Sequence, residues 1–193
     1  MSDPVLHLIV GPNGAGKTTF FERVLQTVTH LPFVNADVIA AARWPTEQAA
    51  RSYEAAQLAA TERAQLIGQR RSFAAETVFS HSSKLDLLGD AKEAGYLVTL
   101  HVVLIPVELA VARVPSRVAH GGHAVPEDKI RSRYERLWAN VVAAIALVDE
   151  ANVYDNSRAR QPFRVVARFR SGRATKPPAW PEWTPEELGA ISR

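Results

Sequence analysis

The chain contains no cysteine in 193 residues. This excludes disulfides and cysteine-ligated zinc, and it fits a reducing compartment. Long apolar runs are missing too. The longest candidate, Tyr96 to Leu109, is broken by His101 and Glu108 and falls short of the roughly 20 residues that cross a bilayer. The opening Met1-Ser2-Asp3-Pro4 carries no basic segment followed by an apolar stretch and a small-residue cleavage site, so no signal peptide is expected. The reading is a soluble, cytoplasmic protein with no membrane engagement. The net charge is only +3, but Asp and Glu are absent from residues 158–176, which hold Arg158, Arg160, Arg164, Arg168, Arg170, Arg173 and Lys176. Such a run is usually a solvated edge; the sharper alternative is a surface for an anionic partner. No internal repeat or linker is visible. Residues 1–176 read as one domain, large enough to bury its own core, and 177–193 as a Pro/Trp-rich C-terminal tail.

The apolar pattern alternates between strand-like and helix-like. Val5–Val10 is a short Val/Ile-containing run suited to a buried parallel strand. Phe20, Phe21, Val24, Leu25 and Val28 follow at helical spacing over Lys17–Thr29. Further strands are expected over Leu31–Asp37, Ser72–Val78, Tyr96–Ile105, Val153–Asn156 and Phe163–Phe169. Helices are expected from Thr46 to Gly68, from Ser82 or Ser83 to Glu93, over Val107–Ala119 with a break at Pro115, and from Pro126 to Asp149. Thr184 is a candidate cap for one last helical turn. The order predicts an α/β fold: a P-loop NTPase or kinase-like parallel sheet of about five strands, helices on both faces and a helical lid. Ligands of such sheets lie beyond the carboxyl ends of the strands. Gly11, Asp37 and Glu76-Thr77 should therefore face one crevice.

Gly11-Pro12-Asn13-Gly14-Ala15-Gly16-Lys17-Thr18 matches G-x-x-x-x-G-K-[ST] between a strand and a helix. The glycines let backbone N–H groups wrap a phosphate, and the following helix aims its positive end at it. Lys17 can bridge the β- and γ-phosphates. The Thr18 hydroxyl can ligate Mg²⁺, and Thr19 completes the nucleotide-binding set. The motif points to a purine nucleoside triphosphate, ATP with Mg²⁺, but kinases, motors and switches all use it.

A kinase needs a carboxylate beside the acceptor hydroxyl. Asp37 is the candidate base; the other readings are a helix cap or support of the metal. Glu76 and Thr77 are candidate substrate contacts, or Glu76 supports Lys17 or a metal-bound water. Arg113, Arg117, Arg131, Arg133 and Arg136 flank the Gly121-Gly122-His123 loop and read as a lid that places guanidinium groups on the γ-phosphate. Arg117 and Arg133 bracket the loop most evenly; the alternative is surface pairing with Glu127, Asp128 and Glu135. His123 is a further lid candidate. His120 and His123 span a Gly-Gly break and make a poor zinc pair. An ATPase or nucleotide-gated binding module, and a polynucleotide kinase using the basic stretch, are the competing functions. Nucleic acid is not the favoured partner, and no apolar run ends in the acidic residue of an ordinary hydrolytic ATPase.

Gly-Pro-Asn-Gly-Ala-Gly-Lys-Thr-Thr at 11–19, Asn35-Ala36-Asp37, Glu76-Thr77, Gly-Gly-His-Ala-Val-Pro at 121–126 with Arg133-Tyr134, and Tyr154-Asp155-Asn156 together resemble the zeta-toxin family of P-loop kinases, in particular a compact zeta-toxin-like subgroup. The resemblance covers about 11 to 160. It implies a toxin that phosphorylates the 3′-hydroxyl of UDP-N-acetylglucosamine, and an antitoxin as possible protein partner. It also implies Asp37 as base, Lys17 on the phosphates, Glu76-Thr77 on the sugar and lid arginines on the γ-phosphate.

Overall fold

The structure is a computed structural model and describes residues 3–118 and 125–192. Its centre is a sheet in the order β2-β3-β1-β4-β5-β6-β7. Strands β1 (Val5–Val10), β2 (Phe33–Val34), β3 (Phe73–Thr77), β4 (Leu97–Leu104) and β5 (Glu150–Asp155) run parallel. Strands β6 (Arg164–Arg170) and β7 (Arg173–Ala174) extend the sheet antiparallel, past an irregularity between Val153 and Tyr154. The five parallel strands and β6 answer to the six that the alternation predicts, but β6 runs antiparallel rather than parallel, and the two-residue β7 brings the total to seven.

Both central strands, VLHLIV and LVTLHVVL, are apolar because each sheet face is covered. Alternate side chains go to opposite faces. Leu6, Leu8 and Val10 join Leu100, Val102 and Leu104 in one core, closed by Ala59 and Leu66 of α4 (Ser52–Gly68), Leu88 of α5 (Lys84–Glu93) and Leu137 and Val141 of α7 (Glu127–Leu147). Ile9, Val103 and Ile105 face the other core. There they meet Phe20 of α1 (Lys17–Phe20), Phe21 and Leu25 of the π-helical segment that continues into α2 (Gln26–Thr29), and Ala110 and Val114 of α6 (Val107–Val118).

Several boundaries differ from the sequence expectation: β5 begins at Glu150 rather than Val153, α7 ends at Leu147 rather than Asp149, and three others have a clear local cause. The strand expected to reach Asp37 stops at Val34, because Asn35 caps α3 (Ala36–Arg43): its Oδ1 accepts from the Asp37 and Val38 amides at 2.7 and 3.3 Å. The helix expected from Thr46 begins at Ser52, after turns that follow Trp44 and Pro45. Helix α6 continues past Pro115 to Val118. A proline in the last turn forfeits a single i→i−4 bond and leaves little helix to break.

The tail is packed. Leu188 of α8 (Glu186–Gly189) is fully buried, and Trp180, Trp183 and Ile191 lie against the first core. Thr184 does not cap α8; its hydroxyl donates to the Pro181 carbonyl at 2.7 Å, and Pro185 holds the cap position. Among the described residues, no helix is long and apolar enough to cross a membrane.

Candidate functional site

The chain reverses sheet direction around β1, whose neighbours are β3 and β4. That is the topological switch point where such sheets bind ligands, and the loop after β1 occupies it. Gly14 and Gly16 sit at φ 74° and 88°, a region costly for residues with a Cβ. Space is tight as well: a Cβ on Gly16 would lie 2.8 Å from Asn156 Nδ2 and would displace that side chain, and one on Gly14 would lie 3.2 Å from the Ala110 carbonyl. The loop is braced from two sides. Asn156 Nδ2 donates to the Ala15 carbonyl at 2.8 Å. Arg113 donates to the carbonyls of Gly14 and Asn156 at 3.4 and 3.2 Å.

Lys17 is buried and donates to the Pro12 carbonyl at 3.1 Å, with Glu76 Oε1 3.6 Å from its Nζ. Glu76 Oε2 accepts from Thr18 Oγ1 at 2.7 Å and from Asn35 Nδ2 at 2.6 Å. The end of β3 therefore supplies an acid to the lysine and hydroxyl of the phosphate loop, the role an ordinary hydrolytic site takes from a different strand. Asn35 ties this cluster to the first turn of α3, where Asp37 stands exposed. The residues fit a Mg²⁺-nucleotide: a hydroxyl and a carboxylate are paired beside a buried lysine, and the buried Asn13 Oδ1 on the same loop has no hydrogen-bond partner.

A cleft of about 550 Å³ opens beside the loop. Asn13, Asp37, Glu76 and Thr77 line one part, Arg63 and Lys84 another, and Lys129 and Arg133 of α7 border it as well. Thr77 turns its hydroxyl to the Phe79 amide, 3.4 Å away. Phe79, buried at φ 66°, holds a backbone conformation rare outside glycine. Ser80 and His81 beyond it also line the cleft.

The five candidate lid arginines part company. Arg133 lines the cleft. Arg113 is turned onto the backbone of the phosphate loop. Arg131 forks onto Glu108 at 2.7 and 2.8 Å and bonds Glu127 at 2.8 Å; these carboxylates raise its pKa. Arg136 is exposed and does not line the cleft. Arg131 and Arg136 are thus surface residues here, because successive arginines on one helix face different directions. The Arg117 side chain and His123 lie outside the described residues. No cluster of three metal-ligating side chains occurs among those described.

A family model described as AAA domain matches residues 6–139, from β1 into α7. The chain belongs to the AAA domain family. A relative in Haemophilus influenzae, an uncharacterized protein, is 32% identical to this chain over 128 residues, 64% of this chain and 88% of that protein. Among solved structures, one from the PezAT chromosomal toxin–antitoxin system of Streptococcus pneumoniae superposes with TM-score 0.68 at 18% identity, over 99% of this chain and 85% of that one. The AvrRxo1-ORF1:AvrRxo1-ORF2 complex gives 0.71 at 19%, over 98% and 63%. A gluconokinase from Sinorhizobium meliloti gives 0.51 at 16%, over 84% and 87%. At these identities the likeness is one of fold. It is a P-loop kinase-like fold, shared with the zeta toxins that the sequence motifs resemble.

The sequence names Asn35, Asn156 and Arg113 but not what they do here, and it does not single out Arg63. Asn35 shows as an N-cap only once α3 is seen to begin at Ala36. Asn156 and Arg113 brace the loop from 141 and 99 residues away. Arg63 sits inside a helix whose spacing suggests packing.

Proposed function

We propose that this protein is an ATP-dependent small-molecule kinase that transfers the γ-phosphoryl group to a hydroxyl. The observation that carries the reading is one cleft lined by Asp37, Arg133 and Glu76, with Glu76 bonded to Lys17 and Thr18 of the phosphate loop. In this reading the loop N–H groups and Lys17 hold the β- and γ-phosphates. When bound, Mg²⁺ neutralises charge on those phosphates; Thr18 and Glu76 are the residues to hold it. Asp37 orients the acceptor hydroxyl and takes its proton as the oxygen bonds to the γ-phosphorus and the bond to ADP breaks. Arg133, with Arg117 as the second candidate, stabilises charge on the equatorial oxygens. Closure of α6 and α7 excludes water.

The resemblance puts forward a UDP-activated amino sugar, UDP-N-acetylglucosamine, as the acceptor, with Thr77 on the sugar. It also suggests an antitoxin as a protein partner; the pneumococcal neighbour comes from a toxin–antitoxin system. Residues 1–176 act as the kinase unit with 177–193 packed behind it, in the cytoplasm where ATP and nucleotide sugars meet. The exposed arginines of β6 and β7 favour a small acceptor over a polynucleotide, because that edge is across the sheet from β2 and β3.

The test is a mass-spectrometric screen of nucleotide sugars and other metabolites with Mg-ATP, repeated with Asp37→Asn. The expected result is one metabolite gaining a phosphate with wild type and none with the variant, whose ATP affinity stays unchanged. Retained transfer by Asp37→Asn sinks the base assignment. Steady ATP hydrolysis with no acceptor supports the ATPase alternative.

A further inference from the structure

Helix α4 buries a stripe made of Ala55, Ala59, Arg63 and Leu66. Their spacing of three and four residues marks a core-facing side. An arginine on that stripe needs an explanation. Arg63 is only 9% exposed, and what remains accessible includes its guanidinium nitrogens; a charge so poor in solvent and without a partner is unfavourable. Yet among the described residues its side chain makes no hydrogen bond or ion pair. Glu62, next in sequence, points its charge the favourable way but is not paired with it. What Arg63 does is line the cleft.

Lys84, the first residue of α5, lines the same cleft and is partly buried. It makes no side-chain bond among the described residues either. The two cations sense each other: burial and then the Arg63 charge lower the Lys84 pKa, and burial lowers that of Arg63. The N-terminal end of α5 adds positive potential at the same place. Among the described residues that line the cleft, Arg63, Lys84, Lys129 and Arg133 face two carboxylates, Asp37 and Glu76, and Glu76 is already engaged by Lys17.

We propose that Arg63 and Lys84 form an anion subsite, and that the phosphoryl acceptor is a hydroxyl compound bearing a phosphate-type anionic group, held there while its hydroxyl faces Asp37. This rests on the kinase reading for the word acceptor; the anion subsite stands without it. Arg63 offers a planar fork suited to paired phosphate oxygens, and Lys84 a point charge. A like-charged, desolvated pair is unfavourable when empty and becomes favourable when an anion enters. The subsite therefore gives up stability of the unliganded protein for affinity.

The experiment fills the phosphate loop with a non-hydrolysable ATP analogue and Mg²⁺, then titrates inorganic phosphate by calorimetry into wild type, Arg63→Met and Lys84→Gln. The expected result is saturable phosphate binding to wild type, weakened about tenfold or more in each variant, with affinity for the nucleotide analogue unchanged. The unliganded Arg63→Met protein is expected to melt at or above the wild-type temperature, since the charge it loses is unpaired; a purely structural arginine would give the opposite. Phosphate binding that is absent from the filled wild type, or equal in wild type and variants, overturns the proposal. If Arg63→Met does not fold, the proposal fails on its stability arm, and Lys84→Gln still decides the binding arm. If the metabolite that gains a phosphate carries no anionic group, the acceptor half of the proposal falls, while the kinase reading stands. If no compound gains a phosphate, the kinase reading falls and the calorimetry still judges the subsite.

Discussion

Glu76→Gln isolates what the carboxylate at the end of β3 does. The glutamine keeps the shape and an acceptor oxygen but removes the charge. Glu76 accepts from Thr18 and Asn35 at 2.7 and 2.6 Å and lies 3.6 Å from Lys17 Nζ, with the two ion-pair partners 6% and 10% exposed. Losing the charge turns two charge-assisted hydrogen bonds into ordinary ones, a loss of roughly 0.5–1 kcal/mol each. It also leaves Lys17 with a weaker partner. A total near 2 kcal/mol corresponds to a fall in Tm of about 4–8 °C for a chain of this size. The functional effect has a different sign for each ligand. Without Mg²⁺, ATP meets one fewer negative charge and should bind as well as or better than to wild type. With Mg²⁺, transfer should fall about a hundredfold or more, through kcat, as for loss of a group that organises transition-state charge. Nucleotide titrations with and without Mg²⁺, together with transfer kinetics, separate these quantities. A rise in acceptor KM at unchanged kcat would refute this reasoning and return Glu76 to the substrate-contact role.

Gly16→Ala forces an L-residue to φ 88° and sets a methyl 2.8 Å from Asn156 Nδ2; equilibrium nucleotide titration should show affinity down about tenfold or more, beyond the roughly 1–2 kcal/mol of backbone strain. Asn35→Ala removes the α3 cap and one Glu76 bond; thermal melts should fall by about 4–8 °C, for a loss near 2 kcal/mol, with kcat reduced because Asp37 begins that helix. Acid should weaken the fold through the stacked pair His7 and His101, whose facing ring nitrogens are 3.0 Å apart, with Tyr154 OH 3.3 Å beyond. Burial, and then the neighbouring His7, lower the His101 pKa to about 3, and burial lowers that of His7. A base with a depressed folded pKa is neutral in both states above about pH 6.5. Below that value only the unfolded chain takes the proton, so stability is lost as pH falls toward 3, by about 1.4 kcal/mol per pH unit for His101. Denaturant melts at pH 7 and pH 5 should differ by about 2 kcal/mol from this residue, and His101→Gln should flatten the dependence; a flat wild-type profile would contradict it.

The sequence by itself determined the phosphate loop, because its chemistry is local. Strand, glycines, lysine, threonine and helix follow one another without a gap, and the required φ angles are written into Gly14 and Gly16. It determined the layered α/β order for a similar reason, since buried parallel strands and amphipathic helices carry different periods. It did not determine where the strand before Asp37 ends. A two-residue strand is too short to show a period, and the Asn35 cap decides it. Only the tertiary structure decided which distant groups meet. Glu76 reaches Thr18 and Lys17 because β3 pairs with β1 in register, Ile9 beside Glu76 and Val10 beside Thr77. Arginines 131, 133 and 136 look alike in sequence, but the pitch of α7 and the position of Glu108 take Arg131 away and leave Arg133 at the cleft. Arg63 shows the difference most plainly. In sequence it is an ordinary helical arginine beside a glutamate; folded, its helix faces the core, and the charge has only the cleft to turn to.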